Sequence, residues 1–184
     1  MHIGGLKPYN NVFLAPMAGV TDLPMRELAI ETGAGLAVGE MLSADLSLAQ
    51  THKTRLRQQH SDSAGLRAIQ IVGYEPAQLA TAARFNVALG ADMIDINMGC
   101  PDRGIEKQGC GSAMIKNPQN AQEIVCAAKR GAPNLPISVK TRVGYNHDML
   151  EEWIPALLEV EPAVITVHAR TRKEMSKVPA QWSR

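Results

Sequence analysis

Asp95-Ile-Asn-Met-Gly-Cys-Pro101, followed shortly by Gly109-Cys-Gly-Ser112, is the stretch whose reading decides the fold. Met93, Ile94 and Ile96 make a short apolar run that ends abruptly at Asn97, the pattern of a buried strand opening into a loop. Pro101 stops the strand and Gly99 lets the backbone turn, so the Cys100 thiol is carried to the mouth of whatever the strand enters. A thiol there can serve as nucleophile or proton donor. It can equally be a small buried hydrophobe, which is how most free cysteines behave.

Outward from this stretch the chain alternates. Short apolar runs at Val12–Ala15, Leu36–Met41, Leu66–Val72, Ile137–Arg142 and Val164–His168 read as strands beside Met93–Asn97. Between them, Thr21 or Asp22 caps a helix to about Thr32, and Ser43 to about His60 is a polar helix or loop. Pro76 opens a helix closed by Gly90, Pro118 opens one closed by Gly131, and His147 to about Val160 is helical with a bend expected at Pro155. Mostly apolar strands separated by helices mean βαβ units and a parallel sheet covered on both faces. The first strand is not followed by Gly-x-Gly-x-x-Gly, which argues against a dinucleotide-binding Rossmann fold.

Polar residues gather instead at the C-terminal ends of successive strands: Glu40, Gln70, Asn97, Lys140 with Arg142, and His168 with Arg170. That distribution suits an α/β fold of the TIM type, a (β/α) barrel whose active site is built from strand ends. Side chains alternate along a strand, so Ser138, Lys140 and Arg142 share one face, as do Thr166, His168 and Arg170, and Ala68, Gln70 and Val72. If those faces point inward, an amide, a lysine, two arginines and an imidazole converge beside Cys100. Charges pointing into a barrel are costly unless something polar or anionic meets them. Pairing of Lys140 or His168 with Asp95 or Glu40 is the structural alternative for each taken singly.

Five segments together carry a resemblance. Ala15-Pro-Met-Ala-Gly-Val-Thr-Asp22, Ala68-Ile-Gln-Ile71, Asp95-Ile-Asn-Met-Gly-Cys-Pro101, Val139-Lys-Thr-Arg142 and Val167-His-Ala-Arg-Thr-Arg172 resemble, in order and spacing, the signatures of the tRNA-dihydrouridine synthases, most closely the bacterial B-type. The resemblance implies an FMN-binding (β/α)8 barrel followed by a helical tRNA-binding domain, reducing uridines of tRNA to 5,6-dihydrouridine with NADPH. By that resemblance the backbone of Pro16, Met17 and Ala18, with Gln70, Lys140 and His168, would bind the flavin. Asn97, Arg142 and Arg170 would bind the substrate, and Cys100 would be catalytic, giving a proton to C5 while hydride reaches C6. A thiol with a reference pKa of about 8.5 is mostly protonated at neutral pH and suits that task. The uridine would have to leave its stack. Arg103, Lys107, Arg170, Arg172, Lys173 and Lys177 are candidates for phosphate contacts or for plain solvated surface. Met175 is given no role, while Cys110 and Cys126 are expected to pack.

Composition is compatible with this. The chain has 184 residues, 45% apolar and 20% charged, with a formal net charge of +1, so no global basic excess announces nucleic acid. Three cysteines without a CxxC pair suggest neither a disulfide framework nor a zinc site, and no signal peptide or spanning segment is evident. A cytoplasmic location is expected; oligomeric state is not legible. Six strands are readable where a closed barrel takes eight. Residues 1–184 are therefore expected to be the N-terminal part of the catalytic barrel, without its last two β/α units and the helical domain. Two other readings follow from the same residues: an FMN barrel reducing a small molecule, of the dihydroorotate type, or an inactive fragment of the synthase.

Overall fold

Apolar residues on alternate positions of each strand, and on one side of each helix, force a sheet sandwiched between a helical layer and an inner core. The computed structural model describes residues 2–184. Its strands are β1 (Phe13–Leu14), β2 (Leu36–Ala37), β3 (Leu42–Ser43), β4 (Ala68–Val72), β5 (Met93–Met98), β6 (Ile137–Arg142) and β7 (Val164–His168), all pairing in parallel. β1 pairs with β2, and β3 through β7 form a sheet in chain order; a bridge between Val38 and Ala68 joins the two. The longer helices are α1 (Leu23–Glu31), α2 (His52–Gln58), α3 (Pro76–Ala88), α5 (Pro118–Gly131) and α6 (Leu150–Leu158), with the short α4 (Arg103–Lys107) after β5. This is an α/β fold of the TIM-barrel type, six strand positions long.

The expected second strand, Leu36–Met41, is instead split. Leu36 and Ala37 pair with β1, the chain leaves the ladder at Gly39–Met41, and Leu42 and Ser43 rejoin it beside β4. Glu40 explains the interruption: its carboxylate turns aside to accept from Gly19 N at 2.6 Å and to pair with Arg57 Nε at 3.2 Å. Ser43–His60 resolves into a short 3-10 turn and α2. Helix α6 begins at Leu150 rather than His147 and runs through Pro155, which lies inside it.

Caps set the helix starts. Of the two candidates for α1 it is Asp22 that caps, accepting from Met25 N at 3.1 Å. Asp102 does the same for α4 and Asn117 for α5. At the far end of α5, a Cβ on Gly131 would run into the carbonyl of Ala80 in α3, so only glycine permits these two helices to approach so closely.

Strand parity divides the core. Ile69, Ile71, Ile94, Ile96 and Val139 face outward onto Leu79, Ile124 and Trp153 of the helices. The inner face carries Leu36, Val38, Ala68 and Met93, closed from below by the N-terminal segment through Ile3, which is buried. Trp153, also buried, donates Nε1–H to Thr141 Oγ1 at 2.9 Å, and Thr141 donates to the Met98 carbonyl at 3.1 Å, stitching α6, β6 and β5 together. Among the described residues, no helix is long and apolar enough to cross a membrane.

Candidate active site at the strand C-termini

The inner-face residues at the C-terminal ends of the strands surround a cavity of about 310 Å³. Its walls include Pro16, Met17 and Ala18 from the turn after β1, and Gln70, Asn97 and Cys100 from β4, β5 and the loop beyond. Lys140, Arg142 and His168 complete it from β6 and β7. Nine of the ten residues singled out from the sequence thus line one space. Arg170 does not: it donates Nε–H to the Val178 carbonyl at 2.7 Å and meets His168 Nε2 at 3.0 Å.

Register explains the convergence. Gln70, Asp95 and Ser138 are direct cross-strand neighbours, and two residues further along Asn97 stands opposite Lys140. Above them Arg142 stands opposite His168. Each rung faces inward because side chains repeat every second residue.

A string of hydrogen bonds climbs through these rungs. Ser138 Oγ donates to Asp95 Oδ1 at 2.5 Å and Gln70 Nε2 to Asp95 Oδ2 at 2.7 Å. Asn97 Nδ2 donates to Gln70 Oε1 at 2.9 Å, and Asn97 Oδ1 accepts from Gly99 N at 3.1 Å and Cys100 N at 2.9 Å. Asn97 therefore holds the cysteine loop as well as facing the cavity, a task its expected role in binding substrate did not include. The same loop is fixed from its other side. Arg142 Nε donates to Gly99 O at 2.7 Å, while Ser112 N and Oγ both reach Cys100 O at 2.9 Å.

Arg142 continues to the carbonyls of Thr171 at 3.1 Å and Met175 at 3.0 Å, so it ties the cysteine loop to the segment after β7. Met175, given no role from sequence, adopts a left-handed conformation (φ 54°) at this point of attachment. A second tie runs through Glu106 in α4, which accepts from Ser112 Oγ at 3.0 Å and pairs with Arg172, whose guanidinium lies over the Tyr145 ring. Neither tie is legible in sequence, since Glu106 and Arg172 stand far apart in the chain. Arg103, Lys107, Lys173 and Lys177 remain exposed at this end of the sheet.

Burial governs the charges. It pushes the Cys100 thiol above its ordinary range; a hydrogen bond from the Asp102 backbone and the charge of Arg142 oppose this, the Asp102 and Glu106 carboxylates assist it, and the thiol is protonated at neutral pH. It holds the Lys140 ammonium below its usual value, with Asp95 opposing and Arg142 assisting. His168 falls to about 4 through burial and the positive charges of Arg142, Lys140 and Arg170, and is neutral. The alternative pairings do not form. Glu40 is engaged with Gly19 and Arg57, and among the described residues Lys140 makes neither an ion pair nor a hydrogen bond. Cys110 is buried as expected, but Cys126 lies at the margin of the buried face of α5 and is only partly covered. Among the described residues no acid, histidine or cysteine cluster is arranged to hold a metal.

The family model described as Dihydrouridine synthase (Dus) matches residues 13–184. The chain belongs to this family. It is 41% identical to tRNA-dihydrouridine synthase B of Vibrio cholerae over 184 residues, covering 99% of this chain and 57% of that protein. Against tRNA-dihydrouridine synthase B of Escherichia coli K12 it is 40% identical over 174 residues, 94% of this chain and 54% of that protein. The chain thus spans a little over half the length of these curated Dus relatives. Among solved structures, histamine dehydrogenase from Rhizobium sp. 4-9 matches with a TM-score of 0.63 at 14% identity, over 91% of this chain and 36% of that one. That likeness concerns the fold, and agrees with the barrel-type architecture of the Dus chain.

Proposed function

We propose that this chain furnishes the larger part of the catalytic barrel of a tRNA-dihydrouridine synthase of the B type, acting in the cytoplasm on uridines of tRNA. The observation that carries the reading is the meeting, in one cavity of a Dus-family chain, of a protonated Cys100 thiol and a Lys140 side chain that makes no ion pair or hydrogen bond among the described residues. Relatives named for tRNA support this over the reduction of a free small molecule.

The residues fit FMN. Pro16 and Met17 offer an apolar wall for a flat ring, while Gln70 and Lys140 offer a spare N–H and a cation to the oxygen- and nitrogen-rich pyrimidine edge. FMN, reduced by NADPH, would supply the hydride for C6 of the uracil. Cys100 would give its proton to C5, a step for which a thiol kept protonated by burial is suited. Its loop is held by Asn97, Arg142 and Ser112, so the donor stays in place without reorganisation. Lys140 would stabilise negative charge at the ring edge. His168, neutral, would contact the flavin by hydrogen bonding without adding charge. Arg142 spends three N–H groups on backbone carbonyls, so its hold on substrate would come from its remaining nitrogen and from the loop it positions. Exposed Arg103, Lys107, Lys173 and Lys177 would meet tRNA phosphates.

The test is the visible absorption spectrum of the purified chain titrated with FMN, then NADPH-dependent dihydrouridine formation on unmodified tRNA. A bound-flavin spectrum with turnover on tRNA supports the proposal. Flavin binding with turnover only on free pyrimidines would replace tRNA by a small molecule, and no flavin binding would reduce the chain to a piece that cannot act alone.

A further inference from the structure

We propose that Asp95, beneath the cavity, is a positioning residue that keeps Lys140 cationic and fixes the polarity of the Gln70 amide. Asp95 is 4% exposed, and no lysine, arginine or histidine among the described residues forms an ion pair with it. A carboxylate is expensive to hold in such a place, and a strand interior has no packing need for one. Burial pushes its carboxyl above the ordinary range, and the hydrogen bonds its two oxygens accept from Ser138 and Gln70, together with the charge of Lys140, oppose that rise and favour the ionised form. A carboxyl kept at this place against the cost of burial, with both oxygens engaged, does something that an apolar residue would not.

Two consequences follow from its place in the register. Lys140 stands two residues beyond Ser138 on β6, one inward rung above Asp95, a separation of about 7 Å along the strand. The groups that share the cavity with Lys140 are Arg142 from its own strand, His168 from β7, Cys100 from the loop after β5, and the neutral Asn97 and Gln70 from β5 and β4, with Arg170 bonded to His168 outside the cavity. Two of these are cations, the imidazole is neutral and the thiol is protonated, while Glu40 is occupied elsewhere. Asp95 is the acid in this set that opposes the loss of the lysine's proton.

The second consequence concerns the amide. With Gln70 Nε2 held by the carboxylate and Gln70 Oε1 held by Asn97, the side chain cannot exchange its ends. Gln70 then presents its remaining N–H, and Asn97 in turn must aim its carbonyl oxygen at the Gly99 and Cys100 amides. One buried charge thereby sets the donor direction along a string ending at the thiol's own backbone.

The amine half of this inference stands apart from the flavin; only its expected effect on FMN rests on the function proposed above. The experiment is pH-dependent acetylation of Lys140, read by peptide mass spectrometry, in the parent chain and in Asp95→Asn, followed by FMN titration of both. Asp95→Asn is expected to lower the labelling midpoint of Lys140 by about one pH unit or more, and to weaken FMN about tenfold. An unmoved midpoint overturns the proposal whatever flavin does. A shifted midpoint in a chain that binds no FMN supports it while removing the flavin reading. Should Asp95→Asn fail to fold, Lys140→Met with a carboxyl-carbon NMR titration of Asp95 reads the same coupling from the other side, because it is reciprocal. The Asp95 midpoint is expected to rise by about one unit, and an unchanged titration overturns the proposal.

Discussion

At the scale of single residues, two titrating groups define what the cavity can do. Cys100 is kept protonated by burial, which suits the proposed role of proton donor better than that of a thiolate nucleophile. Replacing Cys100 with alanine is expected to leave FMN retention unchanged and to lower dihydrouridine formation by about a hundredfold or more; undiminished turnover would remove the thiol as donor. His168 has its folded-state value lowered from about 6.5 to about 4, so between those limits the unfolded chain binds the proton and the folded chain does not. The stability this contributes is complete above about pH 6.5 and is lost as the pH falls toward 4. His168→Gln should therefore flatten part of the acid limb of a plot of urea midpoint against pH. An unchanged slope between pH 6.5 and 4 would mean the imidazole is not desolvated as the structure places it.

At the scale of elements, strand parity was legible and loop anchoring was not. The alternation Ser138, Lys140, Arg142 puts a polar face inward from sequence alone, and the register of β5 on β6 then brings Asn97 opposite Lys140. The division of Leu36–Met41 into two strands was hidden because Glu40 reads as a strand-end acid until Gly19 and Arg57 are seen to share it. The clasp of Glu106 on Arg172 and Ser112 was hidden for a similar reason: long-range pairs of charges leave no periodic trace. That clasp predicts a measurable looseness when broken. Glu106→Gln keeps the size of the side chain but removes the charge that faces Arg172, which lies partly covered beside Tyr145. Amide hydrogen exchange at Cys100 and Ser112 should quicken by about tenfold, with thermal stability shifting by less than a few degrees, as expected of a local opening. Exchange that stays at the parent rate would assign the hold on the loop to Asn97 and Arg142 alone.

At the scale of the whole molecule, the order of the sheet leaves β1 and β7 each paired on one side only. Around β7 the exposure is apolar. Val167 is 38% exposed on its outer face and Trp182 is 87% exposed, and together with Ile154 and Ile165 they border a hollow of about 650 Å³ between α6 and the strand. An unpaired strand edge beside an open apolar hollow is a surface that seeks cover, from another strand or from another copy. The number of strands was readable from the sequence, but the size of this uncovered face depends on how α6 packs, which periodicity does not reveal. The chain by itself should consequently associate: sedimentation velocity at rising concentration is expected to show species larger than 19.9 kDa. Val167→Lys places a charge on the outer face of the edge strand, away from the cavity on its inner face, and should shift the distribution toward monomer. A parent chain that stays monomeric at high concentration would mean that β7 is protected by the 170–184 segment folded against it, with Gln181 N on the Ala169 carbonyl at 2.8 Å as the first stitch of that cover.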